Sequence, residues 1–228
     1  MTKIQREDGV IVHSLSQPRI DSNFLNQDAL ARGVRLLARR DPDLRRVVKR
    51  FGPPPMWERD SGFSTLLHII LEQQVSLASA RAAHNKLLEL VSPLTPQGFL
   101  QLDDVTLKNV GFSRQKTAYG RNLARSIVEG VLDLDALAAM NDDSVRSELL
   151  RIKGIGRWTA DIYLLMVLRR RDVWPTGDLA LAVAAQRVKN LPARPTNEQL
   201  VEMSSKWKPW RAVAARILWH YYLSDGIY

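Results

Sequence analysis

The chain has 228 residues, enough for one large domain or two small lobes with a real core, and its 45% hydrophobic content excludes wholesale disorder. Lys and Arg number 33 against 24 Asp and Glu, a formal charge of +9 that points to a polyanionic partner. Cysteine is absent, which excludes disulfides, thiolate zinc sites, iron–sulfur clusters and cysteine nucleophiles together.

In chain order, residues 1–22 are polar and aperiodic and are expected to be loosely ordered; the opening stretch lacks the apolar core of a signal peptide. Residues 28–40 place Leu30, Val34 and Leu37 on one helical face. A basic cluster (Arg45, Arg46, Lys49, Arg50) leads to a break at Gly52, Pro53, Pro54 and Pro55. From Phe63 a mostly apolar helix (Leu66, Leu67, Ile69, Ile70) runs to Gln73, Gln74, Val75 and Ser76, and a second spans Leu77 to about Leu90, stopped near Pro93 and Pro96. Shorter helices are expected at 103–110, 114–129 and 134–140, then near 157–170, 178–190, 197–204 and 209–223. Alternating strand patterns are missing, so the expected fold class is all-α. The longest aliphatic or aromatic run, 162–168, is far too short to span a bilayer. No membrane association is expected, and the expected location is cytoplasmic or nucleoid-associated for a bacterial or archaeal protein and nuclear for a eukaryotic one.

Residues 149–160 carry the most information. A helix bearing Val145, Leu149, Leu150 and Ile152 stops at Gly154, Ile155 and Gly156, and a second starts at once with Arg157, Trp158, Thr159 and Ala160. Two glycines around one apolar residue suit a tight turn, because glycine alone takes positive φ without a steric cost. Free amides and the positive end of the second helix dipole then favour a phosphate at that turn. A plain αα-hairpin is the commoner reading of this pattern taken alone. A weak echo at 107–118, including Thr117 and Ala118, offers Arg114 and Lys116 as further phosphate contacts.

Downstream, Pro175 and Gly177 break the chain and Asp178 opens the next helix, a preferred N-cap. The cap and a catalytic role are compatible, since one carboxylate oxygen can cap while the other faces a cleft. Asp172, following the arginines at 169–171, is expected to pair with them at the surface.

The hairpin, followed after a helix by Pro175 and Asp178, resembles the helix-hairpin-helix superfamily of DNA base-excision glycosylases. Strand-cutting members of that superfamily carry a nucleophilic lysine two residues after the second glycine; here that residue is Trp158. With the Gln73, Gln74, Val75, Ser76 element and the closing Trp207, Lys208, Pro209, Trp210, Arg211 and Ala214, the chain is similar to the 3-methyladenine DNA glycosylase II branch over about residues 55–228. The resemblance implies a compact form without an N-terminal β-domain. It also implies two helical lobes with a DNA-binding cleft between them: 23–62 with 181–228, and 63–180 carrying the hairpin at about 142–170.

Carried over residue by residue, the resemblance makes Asp178 the acid that stabilises an oxocarbenium-like sugar and helps orient the attacking water. Gln74 takes the position that inserts into duplex DNA, although Gln73 and Gln74 serve equally well as helix-end caps. Trp158 and Trp219 line the base pocket, against the usual fate of tryptophan in the core, with Trp57 and Phe63 as weaker candidates. Trp207 and Trp210 are left to the core. Ile162 and Leu179 stand where a broad-specificity relative has tyrosines. Amides of Gly154, Gly156 and Thr159, with Arg157, contact the DNA backbone, and carbonyls of Leu150, Ile152 and Ile155 hold a structural Na+ or K+ in the DNA complex. No cofactor is required, and His13, His68, His84 and His220 show no zinc spacing.

The implied activity is that of a monomeric, monofunctional glycosylase on double-stranded DNA. It hydrolyses the N-glycosidic bond of alkylated bases of the 3-methyladenine and 7-methylguanine type. Alternatives are another lesion (hypoxanthine or uracil), a non-catalytic DNA-binding protein, and strand cleavage through Lys153 or Lys116.

Overall fold

The computed structural model describes residues 23–226; the expectations for residues 1–22, and His13, lie outside them. Twelve α-helices follow in order: α1 (Gln27–Arg40), α2 (Pro42–Phe51), α3 (Phe63–Leu71), α4 (Leu77–Leu90), α5 (Pro96–Leu100), α6 (Asp104–Asn109), α7 (Arg114–Val128), α8 (Asp142–Leu150), α9 (Arg157–Ile162), α10 (Leu179–Val188), α11 (Asn197–Ser205) and α12 (Arg211–Ser224). The described residues contain no strand, only an isolated antiparallel bridge between Phe24 and Arg170. The all-α class is therefore observed, and α4 coincides with the helix expected at 77–90.

Side chains start nine of the twelve helices: Asn26, Asp41, Ser76, Thr95, Asp103, Ser113, Asn141, Asp178 and Thr196 each accept a hydrogen bond from an N–H of the first turn. The start of α9 is one of the exceptions. Gly156 precedes it and supplies no cap.

Two helices escaped the sequence reading. In α2, charged residues outnumber apolar ones and hide the face that buries Leu44 and Val47. In α5, Pro96 reads as a stop, yet it occupies the first turn behind the Thr95 cap, where a missing N–H costs nothing. Two other segments depart from regular α-helix: 136–139 forms a 3-10 turn, and after Ile162 the chain widens into a π-helical turn, Tyr163–Val167.

Helices α1, α2, α10, α11 and α12 pack chiefly on one another, and α3 to α9 chiefly on one another. One contiguous apolar core runs from Leu25 to Trp219 through both groups. Trp207 and Trp210 are buried in it, as expected. Arg216 is fully buried and donates to three carbonyls, Met56 at 2.7 Å, Leu165 at 3.0 Å and Ala212 at 3.2 Å. It thereby ties the Pro-rich segment and the π-helical turn to α12. Burial pulls its guanidinium down to about 9, below the ordinary arginine value.

Asp172 does not pair with its arginine neighbours. It receives a forked hydrogen bond from Arg211, at 2.9 and 3.0 Å, and so fixes the start of α12. Arg169 instead meets Glu58 at 2.7 Å, and Arg171 lies over the Trp210 ring.

Candidate active site

The α8–α9 hairpin is shaped by its two glycines in different ways. Gly154 sits at φ +106°, and a methyl group there would fall 2.3 Å from Cγ of Tyr119, at the root of that side chain. Gly156 has φ −95°, open to any residue, and a methyl group there would meet nothing within 4 Å. Only Gly154 needs positive φ. What the absent side chain of Gly156 provides is room above the first amides of α9. Ile152 and Ile155 are buried beneath the turn and hold it to the core, and the Ile155 N–H donates to the Ile152 carbonyl at 3.0 Å.

Arg157 projects from the first turn of α9 with its side chain largely exposed, while its Nε lies 3.2 Å from Asp161. Asp161 is fully buried and also accepts from Arg146 Nε at 2.7 Å and from the Thr176 N–H at 3.3 Å. The hairpin is thereby pinned to the segment that leads into Asp178, a link the sequence reading did not contain. Arg114 is exposed at the start of α7. Lys116, two residues on, donates its ammonium to the Leu71 carbonyl at the end of α3, and burial lowers its pKa.

Asp178 caps its helix as foreseen. Its Oδ1 caps α10 by accepting the Leu181 N–H at 2.8 Å, and also accepts Trp219 Nε1 at 3.2 Å. Its Oδ2 accepts Trp158 Nε1 at 2.9 Å. The carboxylate thus lies between two indole N–H groups that come from α9 and α12. Trp57 stands edge-to-face on Trp219, 6.5 Å between ring centroids, with its backbone at φ +48°. Phe63 is not brought to this cluster: it is buried in the core against Phe99, 5.7 Å between centroids. Ile162 is buried, whereas Leu179, next to the acid, is 60% exposed.

Asp178 is buried, with 8% of its surface exposed. Burial raises its pKa above the ordinary value of 3.8, and the Trp158, Leu181 and Trp219 donors oppose that rise by favouring the ionised form. All three of those donors are neutral. Any chemistry that needs the Asp178 anion falls on acidification with a midpoint above 3.8, because the raised group takes up its proton earlier. Trp158→Phe deletes a donor that favours the anion, so the acid limb of the pH–rate profile is expected to move to higher pH still. A limb that stays in place or moves to lower pH overturns this.

The turn that joins α3 to α4 lies against the hairpin. Gln73 Nε2 donates to the Gly154 carbonyl and to Thr159 Oγ1, each at 2.9 Å. Gln74 is exposed at φ +56°, followed by exposed Val75.

The family model for HhH-GPD superfamily base excision DNA repair proteins matches residues 67–209, which include the hairpin, the Gln73–Gln74 turn and Asp178. The chain belongs to that superfamily. Within it the similarity runs to DNA-3-methyladenine glycosylases. DNA-3-methyladenine glycosylase 1 of Schizosaccharomyces pombe is 27% identical over 78% of this chain and 82% of its own length. The DNA-3-methyladenine glycosylase of Bacillus subtilis is 26% identical over 80% of this chain, which spans 64% of that relative. A further Bacillus subtilis relative, YfjP, is matched over 58% of its length. The solved structure of the Schizosaccharomyces pombe 3-methyladenine DNA glycosylase Mag1 in complex with abasic DNA superposes with a TM-score of 0.77, at 26% identity, over 82% of this chain and 95% of that one.

Proposed function

We propose that this protein is a monofunctional DNA glycosylase. In this reading it turns an alkylated purine, of the 3-methyladenine or 7-methylguanine type, out of double-stranded DNA and hydrolyses its N-glycosidic bond. The observation that carries the reading is the Asp178 carboxylate, suspended between the indole N–H groups of Trp158 and Trp219 at 2.9 and 3.2 Å.

The chemistry follows from that arrangement. A base must leave the stack before its glycosidic bond can be reached. An alkylated purine already carries a positive charge, so it departs as a neutral molecule without strong protonation. As the bond lengthens, positive charge grows on the sugar, and a fixed anion in a poorly hydrated site stabilises that charge most in the transition state. Water then adds to the anomeric carbon and gives up a proton to solvent, leaving an abasic sugar. The Trp158, Trp219 and Trp57 rings offer π-faces to a cationic base, worth about 0.5–2 kcal/mol when desolvated. Buried Ile162 and exposed Leu179 make the surroundings less aromatic and favour a narrower substrate range.

Grip on the strand comes from the uncapped start of α9, where the amides of Gly156 to Thr159 and the exposed Arg157 face an approaching phosphate without obstruction from Gly156. Arg114 extends that grip, and Gln74 at the exposed turn is the inserting residue. Three neutral carbonyl oxygens of the hairpin, of Leu150, Ile152 and Ile155, suit a singly charged Na+ or K+. The Ile152 oxygen keeps a second lone pair beyond its bond to Ile155. Bound there, such an ion adds positive charge beside the phosphate.

Purified protein incubated with methylated duplex DNA is expected to release bases and leave abasic sites. Borohydride is expected to trap no covalent adduct, because Trp158 stands where an amine nucleophile is needed and the Lys116 ammonium is engaged by the Leu71 carbonyl. Absence of base release rejects the enzymatic reading; a trapped adduct rejects the monofunctional one. Oligonucleotides carrying 3-methyladenine, 7-methylguanine, hypoxanthine or uracil rank the substrates.

A further inference from the structure

The turn from α3 to α4 is fastened on three sides up to Gln73 and free beyond it. The carbonyl of Leu71 is held by the Lys116 ammonium. Buried Glu72 takes a forked hydrogen bond from Arg59, at 2.7 and 3.0 Å. Gln73 crosses to the hairpin, where its single amide nitrogen spends both hydrogens, one on the Gly154 carbonyl and one on Thr159 Oγ1. The tip that follows has no such ties: Gln74 is exposed at φ +56°, Val75 is 45% exposed and Leu77 is 56% exposed.

The two acceptors of Gln73 bracket the hairpin turn. Gly154 makes its sharpest bend, and Thr159, nearly fully buried, lies in the first turn of α9 behind the amides that face a phosphate. Glutamine suits this crossing for a stated reason. It presents two N–H groups on one atom at a reach that asparagine lacks by a methylene, whereas glutamate would aim a carboxylate at two acceptor oxygens.

We propose that Gln73 is a positioning residue that sets the Gln74–Val75 tip at a fixed offset from the phosphate-gripping hairpin, so that gripping the strand and entering the duplex occur as one event. This rests on the glycosylase reading above. The physical reason is the cost of ordering. A tip on a free loop loses conformational freedom on insertion, whereas a tip already braced against the grip has lost it during folding.

The test compares wild type, Gln73→Met and Gln73→Glu on a duplex carrying the lesion beside the fluorescent base 2-aminopurine, which brightens on unstacking. Gln73→Met keeps the length and apolar stem but has no donor. Its single-turnover excision is expected to fall about tenfold, for two lost hydrogen bonds, with a dimmer 2-aminopurine signal. Its Kd for undamaged duplex should stay within about twofold, since the phosphate contacts remain. Gln73→Glu should be worse than Gln73→Met.

Two measurements separate positioning from general structural damage. On a substrate whose lesion is already unpaired, the Gln73→Met deficit should shrink, because less work is asked of the tip. In combination with Thr159→Val, the deficits should multiply to less than their product, because both variants delete the same bond. A deficit of equal size on paired and unpaired lesions, or none on either, overturns the proposal. Should wild type release no base at all, the glycosylase reading fails, and the 2-aminopurine signal of wild type against Gln73→Met still decides the role of Gln73.

Discussion

Asp178→Asn is expected to lower excision by at least about 100-fold, as losing a fixed electrostatic stabiliser of a growing charge typically does, while leaving duplex binding nearly unchanged. The substitution keeps the size of the side chain and removes its charge. Its fold effects oppose each other. A buried anion raised above its ordinary pKa is removed, which favours the variant. Against that, the three donors from Leu181, Trp158 and Trp219 now face one oxygen and one NH2 group, so at least one N–H meets another donor, at a cost of about 1–3 kcal/mol. Melting temperature and far-ultraviolet dichroism therefore accompany the activity assay. An Asn variant that folds, binds and still excises within tenfold of wild type would falsify the assignment of Asp178 as the working acid.

The second large effect distinguishes the two glycines of the hairpin. Gly154→Ala places a side chain at φ +106° and drives its methyl group into the root of Tyr119. Backbone strain of about 1–3 kcal/mol adds to an overpacking cost of about 1–3 kcal/mol, because Cβ and Cγ of Tyr119 cannot swing away as a chain end can. A fall in melting temperature on the order of 10 °C is expected, together with weakened binding to any duplex. Gly156→Ala has neither problem, with φ −95° and open space around the new methyl. Its stability should match wild type within about 0.5 kcal/mol, and yet its affinity for duplex should drop, because the methyl group occupies the space through which a phosphate reaches α9. Thermal melts set beside fluorescence anisotropy on undamaged DNA separate the two. Equal affinity of Gly156→Ala and wild type would mean that no phosphate approaches there.

Much of the candidate site was legible in the sequence. The Gly154, Ile155, Gly156 turn and the cap at Asp178 are both signals confined to one turn of chain, and counting two residues past Gly156 was enough to find Trp158. The separate demands on Gly154 and Gly156 were not legible, since both look alike until Tyr119 of α7 is packed over one of them. Gln73 and Gln74 were likewise indistinguishable as neighbouring glutamines; one proves to be tied to residues 81 and 86 positions away and the other exposed.

The same division runs through the rest of the molecule. Caps, breaks and apolar periodicity specified where most helices begin, because each depends on atoms within a few residues of one another. Even there, α2 and α5 were missed, since a charge-rich face and a helix-starting proline mask the local pattern. The pairing of buried polar groups belongs to the tertiary structure alone: Arg216 with the Met56 carbonyl, Asp172 with Arg211 rather than with the arginines beside it, and two indoles with the two oxygens of Asp178. A buried polar group must find a partner wherever packing delivers one, and the distance to it along the chain leaves no periodic trace.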